Sequence, residues 1–235
     1  MTSIKAFLMN AKKPIGKTMY IYGGGWNKED VSAGNEAMSI GLSELWEQFA
    51  NKQTYKYNFK DYYYCNNLGL DCSGYVGWII YNTFQNLYST NGYVYKSTDV
   101  GYNLVKLNLG IINDKIIDYR AGDILCSKCN CCKHVWISIG QCNDDSVLLF
   151  HSSPPGVMLS GTTTPDNKKS EAIELAQYYM KKYYKQWYNR FPEIKRDSTY
   201  LTHYRQFRWH NDILPDTENY KNMSVENVLK DLFSA

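Results

Sequence analysis

The sequence predicts an α+β fold in which a helix opening on a cysteine packs against an antiparallel sheet. Two observations carry this reading: a 3.6-residue apolar rhythm before residue 90, and short extended runs rich in branched and aromatic side chains after residue 122. Helical patterning returns near the carboxyl end, so helices and strands are segregated along the chain. With 235 residues and 44% hydrophobic content, one enlarged domain with a substantial core is expected, spanning 1–235 without an internal boundary.

Basic residues number 26 and acidic residues 23, a net of +3, which lacks the dense positive footprint of a nucleic-acid partner. An aromatic content of 15% with so little net charge argues against disorder. No apolar run approaches the roughly 18 residues of a membrane span. The stretch 4–9 is too brief for a secretory signal.

Taken in order, residues 3–13 place Ile4, Leu8 and Met9 on one helical face, with Ser3 as the cap. The run Tyr20-Ile21-Tyr22-Gly23-Gly24-Gly25-Trp26 cannot continue a helix, and its glycines let backbone pass close to another group. Residues 32–53 read as a long helix on Ala37, Ile40, Leu45, Trp46 and Phe49, and the tyrosine-dense 54–67 as loop. A third helix runs from 72 to about 87, with Val76, Ile79, Ile80 and Phe84 on its core face. Residues 100–109 hold a weak alternation. Extended runs follow at 123–126, 134–140 and 146–151, and a turn at 141–145 makes the last two an antiparallel pair. Residues 171–188 read as helix, 204–209 as the last strand and 224–233 as a closing helix capped by Ser224.

Cys72 stands where loop becomes helix. A thiol there feels unpaired backbone N–H groups and the positive end of the helix dipole, both of which favour the thiolate. The same N–H groups can hold an oxyanion formed after attack on a carbonyl. Such a thiol needs a base. A hairpin turning through 141–145 would put His134 roughly opposite His151, with Cβ atoms about 4.5–5.5 Å apart. One imidazole would take the thiol proton and the second would orient it. Each residue alone reads more naturally as structural; together they favour catalysis.

The stretch Leu70-Asp71-Cys72-Ser73-Gly74-Tyr75-Val76 resembles the nucleophile motif of the NlpC family of bacterial cell-wall cysteine peptidases. Gly122-Asp123-Ile124 followed by His134-Val135-Trp136-Ile137 is similar to that family's strand pair carrying the base. His151 with Gly156-Val157, and Tyr20-Ile21-Tyr22-Gly23-Gly24 upstream, complete the same order. The resemblance implies a papain-like fold and hydrolysis of amide bonds in peptidoglycan stem peptides, usually the γ-D-glutamyl to diaminopimelate link. By position, Cys72 would be nucleophile, His134 general base and His151 the orienting residue. Tyr20 would polarise the scissile carbonyl, and Asp71 and Ser73 would bind the free amino end of the substrate. The implied place of action is the bacterial cell wall, with the cytoplasm as alternative. Insertions at about 28–69 and 162–199 depart from the family and would reshape the groove.

Rival readings keep the same three residues for an amidase or acyltransferase, or make the chain a Cys-rich metal or redox protein. Seven cysteines are an odd number, and Cys126, Cys129, Cys131 and Cys132 crowd together while Cys65, Cys72 and Cys142 are scattered. Four thiolates so close would be strained around one zinc ion, so mostly reduced, structural thiols are expected, with a redox switch beside the base as the middle reading. No cofactor or metal is called for.

Overall fold

The structure is a computed structural model and describes residues 2–29, 31–129 and 133–234. Its architecture is mixed α+β, an open seven-stranded sheet with helices packed on it. The chain opens with helices α1 (Ile4–Lys12), α2 (Glu44–Lys52), α3 (Cys72–Phe84) and α4 (Val100–Lys106). Strands β1 (Gly110–Asn113), β2 (Ile124–Ser127), β3 (Val135–Gln141), β4 (Val147–Ser153) and β5 (Gly156–Thr162) follow. Helices α5 (Glu171–Tyr183) and α6 (Lys185–Arg190) precede strand β6 (Lys195–Arg196), helix α7 (Thr199–Thr202), strand β7 (Tyr204–Trp209) and helix α8 (Val225–Ser234).

The sheet runs β1-β7-β2-β3-β4-β5-β6, antiparallel except for the parallel β5–β6 pair at one edge. One face carries the main core, where Val76, Ile79 and Ile80 of α3 join Val135, Ile137, Leu148 and Phe150. The other face holds a smaller cluster of Leu125, Trp136, Val147, Leu149 and Tyr204. Strand alternation sorts the two sets, because successive side chains point to opposite faces. Ser3 caps α1 as expected, accepting the Ala6 N–H at 3.2 Å.

Several sequence expectations are corrected. The long helix over 32–53 is a single 3-10 turn at Asn35–Met38 followed by α2. Gly41 breaks it with φ +81°, and Ile40, counted on the apolar face, is exposed. The helix over 171–188 is interrupted at Tyr184, whose φ of −129° is not helical. Within 100–109, Val100–Lys106 is helical rather than extended, with Val100 and Leu104, one turn apart, both buried. Strand β5 was not expected; its residues are buried throughout, so no alternation marks it.

Candidate active site

The first turn of α3 is built by its own neighbours. Asp71 is the N-cap, and its carboxylate accepts the Gly74 N–H at 2.7 Å. The glycine run lies directly on this turn. The Asp71 N–H donates to the Gly24 carbonyl at 3.0 Å, and a Cβ on Gly74 would overlap that same carbonyl. Gly25 takes φ +88°, where its absent side chain leaves room for the Gly74 Cα. This strap sets Tyr20 beside Cys72. From the tyrosine-dense segment 54–67, the Tyr57 hydroxyl donates to the Tyr20 carbonyl at 2.6 Å, and Phe59 packs edge-on to the Tyr20 ring.

Tyr20, Tyr22, Trp26, Asp71, Cys72 and Ser73 line a cavity of about 500 Å³, whose rim carries Lys28, Lys96 and Lys133. The Cys72 sulfur is buried at its floor. Its nearest polar neighbours are the Lys133 carbonyl at 3.8 Å and the Ser73 hydroxyl at 3.9 Å. Burial pushes the thiol up to about 12, with the Asp71 carboxylate adding to the rise, while N–H groups of Val135 and Ser73 pull it down. The expected depressed thiol is therefore corrected: desolvation outweighs the helix terminus. Asp71, also desolvated, is raised to about 7 despite its backbone hydrogen bonds. The Tyr20 phenol is raised by burial and by Cys72 and Asp71, so it stays a proton donor.

The two histidines meet, but in a different register. Ile137 faces Phe150, and this pairing carried one residue further puts His151 opposite Trp136, not opposite His134. The shift is two residues, so both imidazoles keep the same face of the sheet as diagonal neighbours. Their side chains close the gap: His134 Nε2 and His151 Nδ1 are 3.0 Å apart. His134 precedes β3 and is anchored through its backbone N–H, which donates to Ser127 Oγ at 2.7 Å. His151 is fully buried. Among the described residues, no hydrogen bond joins Cys72 to His134; the sulfur lies against the backbone on either side of that histidine. His134 engages His151 through Nε2.

Three partners of this pair escaped the sequence reading. Ser160 Oγ lies 3.0 Å from His151 Nε2, Arg196 Nε donates to the same nitrogen at 3.2 Å, and the Tyr200 ring contacts both imidazoles. Burial first, and the Arg196 charge second, hold His134 down to about 3 and His151 well below its usual range. Imidazoles and thiol are thus all neutral at rest. Ser160 sits on a strand without alternation and Arg196 on a two-residue strand, so no local pattern signalled either.

Among the described residues, Cys142 belongs to a group of ligand atoms that could hold a metal ion. Cys126 is buried in the main core and is free, as are Cys65, Cys72 and Cys142. Cys129 is disulfide-bonded, which corrects the expectation of reduced thiols at that position; Cys131 and Cys132 lie outside the described residues. The ligand atoms of Cys142, Asp144 and Glu171 fall within 4.8 Å of one another. Asp144 is already committed there: its oxygens accept the Ser146 N–H at 3.1 Å and the Glu171 N–H at 2.7 Å, closing a turn and the start of α5.

Compared with protein-family models, with curated proteins and with solved structures, the chain matches none.

Proposed function

We propose that this chain is a papain-like cysteine hydrolase that cleaves amide bonds in peptidoglycan stem peptides, the γ-D-glutamyl to diaminopimelate link first among them. The observation that carries the reading is the Cys72 thiol at the first turn of α3, on the floor of a cavity, against the backbone that bears a hydrogen-bonded pair of histidines. In this reading Cys72 attacks the carbonyl carbon and its proton passes to His134 Nδ1 as the bond forms. General-base transfer of this kind suits a thiol that rests neutral. N–H groups at the start of α3 and the Tyr20 phenol face the developing oxyanion. His134 then returns the proton to the leaving amine, and water releases the acyl group. His151 orients the base. Asp71 has a second task as helix cap, so the substrate's amino end would meet a carboxylate already held in place.

Defined murein peptides with and without a free amino terminus test this directly. Cleavage at the D-glutamyl link, absent in Cys72→Ala, is the expected result. Release of an intact stem peptide from its sugar would move the assignment to an amidase, and no product from any wall fragment would overturn it.

A further inference from the structure

We propose that Arg196 is a positioning residue that holds the two imidazoles with their protons in reverse order, keeping the site latent until the guanidinium leaves His151. The inference rests on the reading of Cys72 and His134 as nucleophile and base.

The reasoning needs only donor and acceptor chemistry. Arginine has five N–H donors and no acceptor. Its Nε–H points at His151 Nε2 from 3.2 Å, so that nitrogen must accept. A neutral His151 then carries its proton on Nδ1 and donates it to His134 Nε2 at 3.0 Å. His134 in turn carries its own proton on Nδ1, the nitrogen left for the thiol. A protonated Nδ1 cannot take a proton from Cys72. Nor can His134 become imidazolium, because two Nε2–H and Nδ1–H donors would then face each other across the pair.

The opposite order is also built into the site. Ser160 Oγ, 3.0 Å from His151 Nε2, can accept a hydrogen bond from an Nε2–H there once Arg196 withdraws. His151 would then donate from Nε2 to Ser160 and accept from His134 Nε2–H, freeing His134 Nδ1 as a base. Each ring exchanges one N–H for the other through water, with no net gain or loss of protons. Arg196 comes from the short edge strand β6, within the second insertion, and its Nη groups bond the Lys195 carbonyl at 3.0 Å and the Met158 sulfur at 3.3 Å. Groups facing the imidazole pair are Met158 and Ser160 of β5, Tyr200 of α7 and Arg196; Glu193, Asp197, Tyr200 and Tyr204 bear on the guanidinium.

Nitrogen-15 spectra of the imidazoles in the full chain at neutral pH read the proton order. The parent protein should show Nδ1–H on both histidines. Arg196→Met should move both to Nε2–H, and iodoacetamide should alkylate Cys72 on the order of ten times faster, the effect of about one unit in thiol pKa. Arg196→Gln, whose amide can accept from His151, should do the same if the methionine variant fails to fold. Adding Ser160→Ala to Arg196→Met should slow alkylation again, which a purely structural arginine would not explain. Nε2–H on His134 in the parent, or unchanged tautomers in both Arg196 variants, would overturn the inference. If the protons reverse as stated but no murein peptide is cut by either form, the proton order stands and the peptidase assignment falls.

Discussion

The first turn of α3 and the His134–His151 pair stand on either side of one stretch of backbone, yet they are assembled differently. Asp71, Ser73 and Gly74 surround Cys72 within a few residues, and distant contributions come from the glycine strap at residues 23–25 and from the backbone at Lys133 and Val135. The imidazole pair draws on β4, β5, β6 and α7, with Arg196 arriving from 45 residues beyond His151 and Tyr200 from further still. The thiol turn opens to a cavity, whereas His151 is sealed beneath Arg196 and Tyr200. Local sequence can build a nucleophile turn. Setting the proton order of its base takes the whole sheet.

Perturbing the two sides separately sharpens this contrast. The largest effect is expected from Cys72→Ala, which should reduce peptide hydrolysis to background while leaving the circular dichroism spectrum unchanged. Tyr20→Phe removes one donor to the oxyanion and should lower kcat by about 10²-fold with KM little altered, as steady-state kinetics would show. Gly74→Ala forces a Cβ into the Gly24 carbonyl and should cost about 1–3 kcal/mol in urea unfolding. Equal stability of that variant would mean the strap does not rest on α3.

A pH-dependent effect concerns Asp71. Its carboxyl is raised from 3.8 to about 7 on folding, so the folded protein binds the proton more tightly than the unfolded chain. Stability contributed by the protonated form is therefore complete below about 4 and is lost as pH rises towards 7. The urea midpoint should fall across that window in the parent protein. Asp71→Asn keeps an oxygen to accept the Gly74 N–H but cannot titrate, so its midpoint should be flat over the same range.

The helix start at Cys72 was legible because the tyrosine-dense loop gives way there to a 3.6-residue apolar rhythm within one contiguous stretch. That His134 and His151 share a face was legible as well, since a two-residue change of register preserves strand parity. The register itself was not: the hairpin closes with Gln141 opposite Val147, further along the chain than expected, and the bulge between Ser138 and Gly140 takes back one residue, leaving the two-residue shift. The helix over 32–53 was misread because Gly41 turns the chain where apolar spacing alone ran on.

By itself, then, the amino-acid order determined where a helix begins on a thiol, which strands pair next to it and which side of the sheet two imidazoles occupy. These depend on neighbours along the chain and on alternation, both short-range. Tertiary structure alone decided that the thiol is desolvated and neutral, that an arginine from a two-residue edge strand reaches His151, and that a serine waits at the same nitrogen. Desolvation and the direction of a hydrogen bond are set by what surrounds a group in space, and no periodicity along the chain encodes them.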